Sequence, residues 1–177
     1  WPRPVTQSQQ VRIRLLEAYR RTGKATEAAR TLMASMSHIA DAGVRVGLLR
    51  SLAYWVRGQK GIAVCSIDLL KTAVSLDSLN GATWFQLGAA CEEQLRYRDA
   101  LDAFQNAEKF TVSRHIELMA LRRSLWIVGS QGVEWSRGHD IALRCLALEP
   151  NDTLAQAVYE WACIREAKWD ALVDWYR

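Results

Sequence analysis

Between Asn80 and Phe110 small and large apolar residues recur at helical spacing, in the order a packed helix pair requires. Trp84, Leu87 and Gly88 stand at i, i+3 and i+4, on one face of a helix. Ala100, Phe104 and Ala107 stand at i, i+4 and i+7, on one face of another. The polar run Glu92-Glu93-Gln94-Leu95-Arg96-Tyr97-Arg98-Asp99 separates them as a turn. Gly88 and Ala100 fall where two such helices approach most closely, and Trp84 and Phe104 fill the space around that contact. The stretch reads as a helical hairpin.

The hairpin is repeated along the chain. Leu70 stands 34 residues before Phe104, and Leu32 a further 38 before that. Ala100 steps back to Ser66 and Ala28 by the same two intervals, and Ala107 to Ala73 and Ser35. In the first helices Leu87 corresponds to Ala53 and Leu15. Gly23 and Gly61 share a turn position that Leu95 takes in the third unit. Forward, Phe104 and Ala107 step by 38 to Ala142 and Cys145, and Pro150 follows where the next helix must start.

The series W-x2-L-G and A-x3-F resembles the tetratricopeptide repeat, a helical hairpin with a period of about 34 residues. Pentatricopeptide repeats lack that tryptophan signature, and HEAT-type repeats have longer periods. The resemblance implies an all-α, right-handed α-solenoid of stacked antiparallel hairpins, forming one repeat domain over 1–177. Its units fall at about 8–40, 43–79, 81–112, 113–150 and 152–177. The helices are expected near 8–21 and 25–37, 43–58 and 62–76, 81–94 and 97–109, 113–128 and 136–148, and 152–165 and 168 onward. The two intervals of 38 imply extra residues around 37–43 and in an extended turn around 130–137. Arg122 stands where a small residue is expected, which makes the packing of the fourth hairpin the open point.

Composition agrees with helices. Ten Gly and three Pro in 177 residues, 50% of them hydrophobic, leave too few breakers for a strand-and-turn sandwich and too much apolar content for disorder. No apolar run is long enough to span a membrane. Cys65, Cys91, Cys145 and Cys163 lie far apart without a C-x-x-C pair, so they read as small core residues rather than a zinc site or a disulfide framework. A reducing, cytoplasmic setting is the expectation. The chain opens on Trp1 rather than Met and reads as a segment of a longer protein.

Function is legible only as a surface. In the resembling family the first helix of each hairpin lines a concave groove. Here the groove-facing positions are Arg14, Arg20 and Arg21, Trp55 and Gln59, Phe85, Gln86 and Glu92, Arg123 and Trp126, and Trp161. Exposed aromatics flanked by charge suit a peptide, a helix or a partner domain. A tryptophan on a helix also packs against the neighbouring repeat, so either role is open for each. The sites that clamp a terminal carboxylate in chaperone-binding relatives correspond to Ile13, Glu17, Leu52, Ala82 and Gln86. None of these is basic, which argues against such a clamp.

An interaction scaffold is thus the expected function, with a protein or peptide partner and no catalytic, cofactor or metal site. The alternative is a non-catalytic arm of a larger enzyme or assembly, as in glycosyltransferases or polysaccharide-export proteins. RNA binding by the basic first repeat ranks lower. A net charge of +4, from 23 basic and 19 acidic residues, makes no dense cationic stripe. His38, His115 and His139 are scattered, and His139-Asp140 near Cys145 is the sole grouping with nucleophile composition. Trp169, Leu172 and Trp175 on the last helix form an apolar face suited to self-association.

Overall fold

Three of the four described hairpins begin where an Asx side chain takes up a free backbone N–H group. Asp41 Oδ1 accepts from Val44 N at 3.1 Å, Asn80 Oδ1 from Thr83 N at 3.1 Å, and Asp152 Oδ1 from Ala155 N at 3.0 Å. The computed structural model describes residues 39–57 and 63–177 (backbone alone at 63–65), with isolated positions 21, 31 and 34. Eight helices lie among the described residues: α1 (Ala42–Arg57), α2 (Ala63–Leu76), α3 (Gly81–Glu93), α4 (Tyr97–Phe110), α5 (Arg114–Gln131), α6 (Trp135–Leu148), α7 (Thr153–Arg165) and α8 (Trp169–Trp175). No strand is found among them. The chain divides into two units between Ser78 and Leu79.

In the first unit α1 and α2 pack on each other. Leu49, Leu52, Ala53 and Val56 of α1 and Ile67, Leu70 and Ala73 of α2 are buried. The expected first hairpin lies outside the described residues, as does part of the lengthened link at 37–43.

The second unit is a stack of three antiparallel hairpins, α3–α4, α5–α6 and α7–α8. The second helix of each packs on the first helix of the next, and α5 touches both α3 and α7. That is the neighbour-to-neighbour packing of a solenoid. The residues spaced by the repeat form the core. Ser66, Leu70 and Ala73 in the first unit, and Ala100, Phe104, Ala107, Ala142 and Cys145 in the second, are each at most 2% exposed. Leu32 lies outside the described residues. In α3–α4, Gly88 meets the ring of Phe104 so closely that a Cβ there would stand 2.6 Å from it.

The turn of the third unit uses a leucine where earlier units have glycine. Leu95 sits at φ 59°, with its N–H donating to Glu92 O and that of Arg96 to Cys91 O. This is the paired bonding of a Schellman ending, and Ala167 and Lys168 repeat it after α7. An L-residue pays steric strain in this conformation, and Leu95 is 71% exposed, so little burial offsets it. Leu95→Gly is expected to raise stability by about 0.5–1 kcal/mol, read as a higher urea midpoint.

The fourth unit corrects two expectations. The extended turn at 130–137 is not formed; α5 runs to Gln131 and only 132–134 connect it to α6. Within that extra turn of helix the Ser130 hydroxyl donates to Trp126 O at 2.5 Å. Gly132, at φ 66°, then ends it by donating to Val128 O. The added residues Gly129, Ser130 and Gln131 stay exposed, and Gly129 is where α5 comes close to α7, since a Cβ there would stand 3.2 Å from Val158 Cγ2. Arg122 does not obstruct the hairpin, because its side chain leaves it to pair with Asp152 at 2.6 Å and Glu149 at 3.1 Å. The small residue is supplied by the other helix, since a Cβ on Gly138 would stand 3.1 Å from Val128.

Asp152 therefore caps α7 and anchors Arg122 together. Burial raises its carboxyl pKa, but the Ala155 N–H and the Arg122 guanidinium outweigh that and hold it below the usual carboxylate range. On acidification the unfolded chain takes up this proton first. The contribution is complete above about pH 4 and is lost as pH falls through the depressed value. Asp152→Ala is expected to cost about 1–2 kcal/mol at neutral pH. Asp152→Asn, which keeps the cap, should cost less and flatten the acid limb; thermal melts at neutral and acid pH check both.

Between α4 and α6, Arg137 bonds Asp102 at 2.9 Å and Gln105 at 2.7 Å, and also Glu134 at 2.8 Å. Arg144 pairs with Glu108, whose carboxyl burial still holds above its ordinary range. These partly exposed pairs tie neighbouring hairpins together in register and add little stability each.

Candidate functional site

The apolar stripe of α5 points Leu121, Leu125 and Val128 inward and leaves Trp126 on the opposite side, 44% exposed. On α7 the buried stripe is Ala155, Val158, Tyr159 and Ala162, and Trp161 stands out at 59% exposure. These two tryptophans border one open cleft of about 460 Å³ between α5 and α7. It is open because Gly129 and Ala157, both on its walls, have almost no side chain. Leu154 and Val158 line it, Trp135 at the start of α6 closes one end, and Arg165 stands there. The Arg165 guanidinium carbon lies 5.2 Å from the centre of the Trp135 ring, a cation–π contact that orients the charge.

The structure thus brings two of the sequence-expected surface residues, Trp126 and Trp161, to one site. It also joins Glu92 and Arg123, which form an ion pair at 3.1 Å between α3 and α5. Phe85 is half-buried, its ring 5.6 Å from that of Phe104 and tilted by 50°, so it packs within its own hairpin. Gln86 and, in the first unit, Trp55 are half-buried. Arg21 is exposed, while Arg14, Arg20 and Gln59 lie outside the described residues. On α8, Trp169 is exposed and Leu172 half-buried. Trp175 is also half-buried and packs 5.0 Å from Tyr159, which docks α8 on α7.

Trp135, Leu154 and Arg165 were not among the expected site residues. One signal for two of them is present in the sequence: Leu154, Val158, Trp161 and Arg165 recur at i, i+4, i+7 and i+11, a single stripe along α7. Trp135 had no such signal, since it was expected within the extended turn.

The grouping around His139 holds no activated nucleophile. Cys145 is completely buried, and burial pushes its thiol up to about 11, so it stays protonated at neutral pH. His139 packs against the Tyr159 ring at 5.1 Å, with Nδ1 3.3 Å from Asp140. Cys91 and Cys163 are likewise buried free thiols. Among the described residues no cluster of His, Cys, Asp and Glu is placed to hold a metal ion. No helix among them is long and apolar enough to cross a membrane.

No protein-family model matches the sequence, and no curated protein matches it. Solved structures do. One, described as the crystal structure of MamA protein, superposes with a TM-score of 0.62 at 19% identity, covering 94% of this chain and 87% of that one. Another, described as the crystal structure of MamA, gives 0.59 at 19% identity over 90% of this chain and 88% of that one. The fold shared with them is that of a TPR-like helical solenoid.

Proposed function

We propose that the chain is an interaction scaffold of the tetratricopeptide repeat kind, docking a peptide, a helix or a partner domain along the first helices of its hairpins. The observation that carries this reading is the pair Trp126 and Trp161, both exposed around one cleft. Large aromatic surface left facing water contributes nothing to the fold itself, whereas rigid aromatic anchors dominate binding energy at interfaces. The Glu92–Arg123 pair on the neighbouring helices α3 and α5 supplies polar surface beside it. The same fold in the MamA structures supports a scaffold over a catalytic role, as does the protonated, buried state of Cys145.

A pull-down that compares the native chain with a Trp126→Ala, Trp161→Ala double variant tests the reading. Both side chains lie outside the buried stripes of their helices, so the variant is expected to keep its helicity. At least one partner recovered by the native chain is expected to be lost. Identical recovery by the two folded proteins would remove this face from the function.

A further inference from the structure

The charge around the cleft is lopsided. Arg165 is the single charged residue on its walls, and no carboxylate or carboxamide lines it. The acidic residues nearby in sequence are turned to other tasks. Glu166 pairs with Lys168 at 2.6 Å, Glu134 with Arg137 at 2.8 Å, and Glu160 accepts from the Tyr176 hydroxyl on the α8 side of α7. Arg165 meets no carboxylate among the described residues, and its contact there is the face of Trp135. A cation held over an aromatic ring at the mouth of an apolar cleft is an anion-recognition element with its geometry already set.

The geometry points to an acidic peptide as the occupant: a segment that places a bulky apolar side chain between Trp126 and Trp161 and a neighbouring carboxylate on Arg165. This rests on the scaffold reading above and names the partner chemistry of the same cleft. The volume suits such a segment, falling in the range of roughly 300–1,000 Å³ typical of small-ligand sites. A carbohydrate fits poorly, because its rim of hydroxyl groups needs acceptors as well as donors. Among wall side chains the donors are the indole N–H groups and the Arg165 fork, and the one acceptor, the Ser130 hydroxyl oxygen, already accepts from Gln131 Nε2 at 3.2 Å. A nucleic acid would need a row of cations to follow its phosphates, and this site has one.

Two synthetic peptides test the proposal: Ac-Gly-Glu-Leu-Phe-Gly-NH2 and its twin with Gln in place of Glu. Titration is followed by NMR through the indole N–H signals of Trp126, Trp161 and Trp135. Both peptides are expected to shift the Trp126 and Trp161 signals, with the Glu peptide binding about three- to tenfold tighter at low salt. High salt should erase that preference. Arg165→Gln should erase it too, while Arg165→Lys retains part of it and Trp161→Ala weakens both peptides alike. Equal affinity of the two peptides, or a Glu preference that survives Arg165→Gln, overturns the anion assignment but leaves a cleft that binds peptide. Failure of both peptides to move any indole signal at low-millimolar concentration overturns the acidic-peptide proposal itself. The pull-down above then stands alone as the test of the scaffold reading.

Discussion

Phe104→Ala is expected to cost about 3–5 kcal/mol of stability, the largest loss from any single truncation in this hairpin. The ring is 1% exposed, tilts against Phe85 and lies on Gly88, with Ala100 and Ala107 completely buried on the same face of α4. Those neighbours are small or rigid and cannot collapse into the space left, so the lost transfer free energy is joined by a cavity term. In a stack where each hairpin rests on its neighbours, the loss weakens α3–α4 first and then its contact with α5. Urea denaturation followed by circular dichroism measures the total, and amide exchange across 81–110 shows its location. A loss below about 1 kcal/mol would mean that the ring does not hold the hairpin together.

The second large effect comes from adding a single methyl group. A Cβ on Gly88 would stand 2.6 Å from Cδ1 and Cε1 of Phe104 and 3.0 Å from Cγ. The ring has no room to swing, being buried and backed by Phe85. Gly88→Ala should therefore destabilise by about 1–3 kcal/mol, although alanine is the better helix former by about 0.8–1 kcal/mol. The sign of the change separates packing from propensity. Introducing Gly88→Ala into a Phe104→Leu background should cost much less, because the shorter side chain vacates the contact. Strictly additive costs would show that the two residues do not share it.

Most of the helices lie where the sequence placed them. The expected spans 43–58 and 62–76 are observed as Ala42–Arg57 and Ala63–Leu76, and 81–94 and 97–109 as Gly81–Glu93 and Tyr97–Phe110. They were legible because a helix must repeat its apolar residues at a fixed phase; Asp41, Asn80 and Asp152, which had not been singled out, fix three of the starts by local capping bonds. The turn position of Leu95 was legible by register, whereas its left-handed backbone is seen only in the structure. The end of α5 was not legible. Gly129, Ser130 and Gly132 have turn composition, but Gly129 serves the close approach of α5 to Val158 on α7, a contact that exists only once the neighbouring helix is in place.

The candidate site divides along the same line. Trp126 and Trp161 were singled out by helical phase, a property of one helix at a time. Their closeness across a common cleft, with Trp135 and Arg165 at one end, follows from how α5, α6 and α7 pack. The amino-acid order by itself determined the helical hairpins and the small and large residues of their cores, because these follow from backbone bonding and residue spacing within reach of a single hairpin. Only the tertiary structure decided that Arg122 leaves its hairpin for Asp152, that Gly138 rather than residue 122 provides the close approach, and that one arginine remains without a carboxylate beside three tryptophans. Each of those depends on side chains 30 or more residues apart, or on different helices, whose meeting is set by packing and not by sequence distance.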